Sequence, residues 1–128
     1  MDVTRVTAHP FLSGLPDDEL EAVARVASEC RFADGDVVVA EGDFGHALFL
    51  IEEGTGEVSA GGVPVRGVAA GDVVGEVAVL SSGRRTASVV ATSPVCALAL
   101  FKRDVWALDR LAPQAAERFR AALGDRVR

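Results

Sequence analysis

The sequence predicts a mainly β fold with flanking helices: an antiparallel β-roll, of sandwich or barrel type, with one helix before it and two after. Two observations lead there. Between Arg31 and Leu100, short β-rich runs alternate with turn signals at intervals of about 8–12 residues. No helix-length segment separates those runs, so the strand–helix alternation that a parallel sheet requires is missing. At 128 residues and 49% hydrophobic content, the chain is expected to form a single domain, 1–128, with a real core.

The first element is an amphipathic helix within an N-terminal helical part assigned to residues 11–29. In "LPDDELEAVARVASEC", Asp17, Asp18 and Glu19 occupy the first turn, where anions suit the helix dipole. Leu20, Val23, Ala24 and Ala27 then recur at i, i+3, i+4 and i+7.

The β region, 30–101, reads as "CRFA", "DVVVAEG", "HALFLIEEG", "TGEVSAGG", "VPVRGVAAGD" and "RTASVVATSPVCALALF". Most of the chain's 13 glycines, Gly54 and Gly56 included, fall between or at the ends of these runs, where turns need a permissive backbone.

Helical periodicity returns over 102–128. "KRDVWALDRLA" places Val105, Leu108 and Leu111 on one face with Trp106 beside it. Pro113 interrupts and opens a second helix, "PQAAERFRAALGDRVR". Its apolar stripe is Ala115, Ala116, Phe119, Ala122 and Leu123, with Gly124 a weak point or a C-cap.

Composition removes several function classes. No apolar run approaches the roughly 18 residues of a membrane span, and "MDVTRVTAHPF" lacks a signal-peptide core. A soluble, cytoplasmic protein without membrane contact is expected. The net charge of −6 argues against direct nucleic-acid binding. It is uneven: residues 1–101 carry 6 basic and 15 acidic side chains, residues 102–128 carry 7 and 4. The use of 12 arginines and one lysine suits a high-GC bacterium. Cys30 and Cys96 read as buried thiols, with no Cys-x-x-Cys present. His9 and His46 have no ligand partner at metal spacing, so neither a metal nor a cupin-like enzyme is expected. No histidine lies near Ser81, Ser82 or Ser88 to form a nucleophile–base pair.

One segment refuses the β pattern. In "GDVVGEVAVLSSGRRTASVVA", residues 75–80 read as a single helical turn, in which Gly75 permits close backbone approach. The amides of Val77 and Ala78 would then be unpaired N-terminal donors, an anion site. Arg85 can fold back across it with a bidentate fork suited to phosphate. Glu76 is out of place beside a bare phosphate and makes sense if the ligand also carries a sugar hydroxyl. A phosphate with a ribose is a nucleotide.

The run Val74-Gly75-Glu76-Val77-Ala78-Val79-Leu80, followed by Arg84-Arg85-Thr86-Ala87-Ser88-Val89, resembles the phosphate-binding cassette of cyclic nucleotide-binding domains. These are the domains of catabolite activator proteins, protein kinase A regulatory subunits and cyclic-nucleotide-gated channels. The cassette is assigned to 74–89, and the likeness extends over nearly the whole chain. It implies a double-stranded β-helix of jelly-roll type, with an N-terminal helix and C-terminal B and C helices. It implies that Arg85 pairs with the cyclic phosphate and Glu76 with the ribose 2′-hydroxyl, while Gly75, Val77 and Ala78 complete the cradle. Thr86 offers a hydroxyl between phosphate and base, and Ala87 joins the ligand-binding set. Arg126 falls where some channel-type domains cap the purine. Val74 departs from the usual phenylalanine, and Arg84 from a frequent proline.

The implied function is a non-catalytic sensor of cyclic AMP, cyclic GMP or both, coupling the ligand to movement of the C-terminal helices, with no further cofactor. Its output is expected to reach a protein effector or a fused domain, and a homodimer through the C helix is a further expectation. The alternative is a ligand-free interaction module of the same fold.

Overall fold

The computed structural model describes residues 2–40, 47–74 and 87–127, with backbone alone at 102, 120 and 122–127. The chain begins with α1 (Val3–Ala8), a 3-10 turn (Pro10–Leu12) and α2 (Asp17–Val26). Eight strands follow among the described residues: β1 (Ser28–Phe32), β2 (Val37–Val39), β3 (Ala47–Glu53), β4 (Thr55–Ala60), β5 (Val63–Ala69), β6 (Val73–Val74), β7 (Ser88–Ala91) and β8 (Val95–Phe101). Two helices close the chain, α3 (Lys102–Leu111) and α4 (Pro113–Val127).

The strands form two four-stranded antiparallel sheets, ordered β1-β8-β3-β6 and β2-β7-β4-β5. The first sheet is covered on both faces. Val95, Ala97 and Ala99 of β8, with Ala47, Phe49 and Ile51 of β3, face the second sheet. Leu98, Leu100, Leu48 and Leu50 face the helices. Double-sided burial explains why β3 and β8 read as unbroken apolar runs rather than alternating ones. The helical layer itself buries Val6, Leu12, Leu20, Val23, Val105, Leu108 and Phe119.

Four local readings change. The six-residue α1, capped by Asp2 accepting from the Thr4 amide at 2.9 Å, is too short to show periodicity in sequence. The last β run is two strands, β7 and β8, divided at Thr92–Pro94. Leu111 is 53% exposed; the buried face of α3 continues from Leu108 to Ala112, four residues on instead of three. Gly124 lies inside α4, which runs on to Val127, and does not cap it.

Two corners of the roll are built alike from one sequence phrase, Ala-x-Gly-Asp-Val-Val, at Ala33–Val38 and Ala69–Val74. In each, the Asp carboxylate accepts from the amide three residues back, Ala33 or Ala69, both at 2.8 Å. Gly35 and Gly71 adopt φ of +90° and +97°, which glycine reaches without strain. Each corner exchanges a pair of backbone hydrogen bonds with a neighbour. Gly35 N–H donates to Ala91 and Ala91 N–H to Asp36, both at 2.8 Å; Gly71 N–H donates to Ile51 and Ile51 N–H to Asp72, both at 2.9 Å. Asp36→Ala and Asp72→Ala are each expected to lower stability by about 1 kcal/mol, the net value of such a hydrogen bond. The asparagine variants, whose amide oxygen still accepts, should lose less; urea midpoints measure the difference.

Candidate functional site

The segment singled out in the sequence joins β6 to β7, and so passes from one sheet to the other. Gly75, Glu76, Val77, Ala78, Arg85 and Thr86 lie outside the described residues, as does the side chain of Arg126. The ends of the segment are described. Val74 is 3% exposed, pairs with Phe49 of β3 and sits in the core between the sheets. Ala87 is half-buried and packs on the same core. Ser88 and Val89 then pair with Ser59 and Val58 of β4. Both ends of the segment are therefore fastened into one apolar layer. Valine at position 74 fits that layer beside Phe49, whose ring meets Phe32 edge-on with centroids 5.6 Å apart.

The helix that bears Arg126 is anchored at its other end to α2 and the 3-10 turn. Glu19 of α2 is 4% exposed. Its Oε1 accepts from the backbone amides of Gln114 and Ala115 at 2.8 and 3.0 Å. A carboxylate thus caps the start of a second helix, where its charge meets the positive end of that helix dipole. Arg118 donates from Nη1 to the carbonyls of Phe11 and Ser13 at 3.0 and 2.7 Å. Phe119, fully buried, stacks on Phe11 with centroids 5.2 Å apart and rings inclined by 25°. No sequence signal marks these contacts, because they join residues about a hundred positions apart. Ala115, Ala116 and Phe119 of the expected stripe are committed to this internal packing.

An ion cluster ties α1 to the strands beneath it. Arg5 donates to both carboxylate oxygens of Glu52 on β3, at 3.1 and 2.5 Å, and reaches Glu29 of β1 at 3.1 Å. Those hydrogen bonds hold the Glu52 carboxyl below its usual range. Beside it, burial followed by the Glu52 carboxylate pushes the Cys96 thiol up, which favours the neutral thiol over the thiolate. Cys30 and Cys96 are both free, and Cys30 lies on the opposite face of the sheet, packed on the core between the sheets. Among the described residues, no group of His, Cys, Asp and Glu is arranged to hold a metal. No described helix is long and apolar enough to cross a membrane.

A roll with helices on one face, and a segment between its two sheets whose sequence carries Gly-Glu and Arg-Thr-Ala, defines a class. The chain belongs to the cyclic nucleotide-binding domain family, whose model matches residues 29–110. It is 40% identical over 86 residues to a cAMP-dependent protein kinase regulatory subunit of Hypocrea atroviridis, a match covering 67% of this chain and 19% of that one. It spans about a fifth of that relative's length. The crystal structure of the Thermus thermophilus catabolite activator protein superposes with a TM-score of 0.81 at 29% identity, covering 92% of this chain and 58% of that chain. A Geobacter metallireducens chain superposes at 0.84 over 99% of this chain and 96% of its own; its 21% identity speaks to fold alone.

Proposed function

We propose that this chain is a non-catalytic sensor that binds cyclic AMP, cyclic GMP or both, and passes occupancy through its C-terminal helices to a protein effector or a fused output domain. The observation that carries the reading is the run Gly75–Ala78 with Arg85–Ala87, inside the residues matched by the family and strung between β6 and β7. In this reading the amides of Val77 and Ala78 cradle the phosphate and Arg85 supplies the bidentate charge-assisted contact. Glu76 accepts from the ribose, and Thr86 stands between phosphate and base.

The anchoring of α4 constrains how a signal would leave. Glu19, Arg118 and Phe119 fasten its first turns to α2 and the 3-10 turn. Ligand-driven movement of α4 then either carries the N-terminal helices with it or pivots beyond Phe119. A paired copy would have to use the part of α4 past Phe119, since the earlier stripe is already buried in the chain's own core.

The test is calorimetric titration of cyclic AMP and cyclic GMP into wild type and Arg85→Ala. Saturable binding by wild type is expected, weakened about thirty-fold or more in the variant, equivalent to about 2–3 kcal/mol. Absence of binding by wild type to either nucleotide at millimolar concentration would overturn the sensor and leave a ligand-free interaction module on the same fold.

A further inference from the structure

We propose that His9 is a proton-operated latch: adding a proton to its Nδ1 breaks its bond to the 3-10 turn and loosens the helical layer from the corner between β5 and β6. The proposal goes beyond nucleotide binding and is read in the ligand-free protein.

His9 links α1 to the 3-10 turn and is 3% exposed. Its partners fix its tautomer. The Phe11 amide donates to Nδ1 at 3.2 Å, so Nδ1 carries no proton. Nε2 lies 2.9 Å from the Ile51 carbonyl and must therefore be the donor. The Ile51 carbonyl accepts a second hydrogen bond, from Gly71 N–H at 2.9 Å. Gly71 belongs to the corner that leads into β6 and the 75–86 segment, and Pro10 packs directly against it: its Cγ would lie 3.5 Å from a Cβ placed on Gly71. One carbonyl on β3 thus holds both the helical layer and the corner.

Only neutral imidazole fits. An imidazolium has two N–H donors, and the one at Nδ1 would point at the Phe11 amide, donor against donor. Relief requires Phe11 to move, and Phe11 is where Phe119 stacks and where Arg118 finds one of its two carbonyls. A proton on His9 therefore pulls at the anchor of α4.

The charged groups facing His9 are Glu52 from β3, held by Arg5 of α1, and Asp72 from the corner. Burial lowers the affinity of His9 for a proton, and the hydrogen bond to the Ile51 carbonyl, with these two carboxylates, only partly restores it. With the docked value below the ordinary 6.5, the released state binds more protons. Docking is then fully favoured above about pH 6.5 and weakens as pH falls below it toward the docked value. One proton makes the docked-to-released ratio fall by up to about tenfold per pH unit across that window.

The experiment is an imidazole ¹⁵N and amide NMR titration of the ligand-free wild-type chain from pH 7.5 to 5, with His46→Gln used to assign the two histidines. The expected result is an Nε2–H tautomer for His9 and a midpoint below the ordinary histidine value. The Phe11 and Gly71 amides and the Phe119 ring should shift with that same midpoint. His9→Gln, which keeps a donor toward Ile51 and cannot titrate, should lose the shared transition. An Nδ1–H tautomer, or a His9 transition that leaves Phe11, Gly71 and Phe119 unmoved, would overturn the latch.

Discussion

Replacing Gly54 by alanine is expected to destabilise the fold by more than about 3 kcal/mol and to lower the melting temperature by about 10 °C or more. Gly54 joins β3 to β4, the point where the chain leaves one sheet for the other. Its φ is +99°, a conformation that costs an L side chain about 1–2 kcal/mol on its own. A Cβ there would also meet the Pro94 carbonyl oxygen at 2.2 Å and the Val95 Cα at 2.9 Å. Both obstacles are backbone, so no side-chain rotation relieves them, and the turn between β7 and β8 would have to move. That turn is tied to Thr55, whose amide donates to Ser93 Oγ at 2.9 Å and whose hydroxyl meets that of Thr92 at 2.8 Å. Thermal unfolding of Gly54→Ala measures the effect. A midpoint within about 3 °C of wild type would mean that the β7–β8 turn re-forms around the methyl group.

Phe119→Ala should cost about 3–5 kcal/mol, the range for truncating a fully buried phenylalanine, here one in the core shared by the helices and the first sheet. Part of that loss belongs to the stacked pair with Phe11. A double-mutant cycle with Phe11→Ala should show a coupling of about 0.5–1.5 kcal/mol. The variant also separates packing from charge, since Arg118 and Glu19 keep their backbone partners while the apolar clamp is gone. Urea unfolding gives the stability. Amide exchange along α4 should show protection lost from Ala115 onward before the sheets open. Unchanged protection there would mean that the two polar anchors alone hold the helix.

Much of this fold is readable from residue order, and the reasons differ by element. The helix α2 announces itself because one face is buried and one is wet, so Leu20, Val23 and Ala24 recur at helical spacing. Strands β3 and β8 are legible as strands by their turn boundaries rather than by alternation, since both of their faces are covered. The two-residue β6 has too few residues to carry a period. Gly56, which reads as a turn glycine, sits mid-sheet because a Cβ there would press on Val68 and on the Val90 carbonyl at 3.0 and 3.1 Å. In the candidate site, Gly75, Glu76 and Arg85 are expectations from residue type and spacing, and all three lie outside the described residues. Three contacts of the helical layer carry no such signal: Glu19 as the cap of α4, Arg118 as its tether and His9 as a bridge all join residues far apart in sequence. Residue type alone leaves a buried carboxylate or imidazole looking like any surface one.

The paired Ala-x-Gly-Asp corners have a bearing on affinity. Flexible recognition loops give up conformational freedom when they close on a ligand, and that loss is subtracted from the binding free energy. Here the residues leading into 75–86 are fastened beforehand. Asp72 clasps Ala69, Ile51 grips Gly71 from the side, and Val73 and Val74 are buried in the cores on either side of the sheet. The matching corner at Ala33–Asp36 uses the same bonds where no ligand role is assigned, so the clasp is a property of the polypeptide alone. At that end of the segment, the ordering is completed during folding, and a nucleotide would meet a preorganised threshold instead of having to build one.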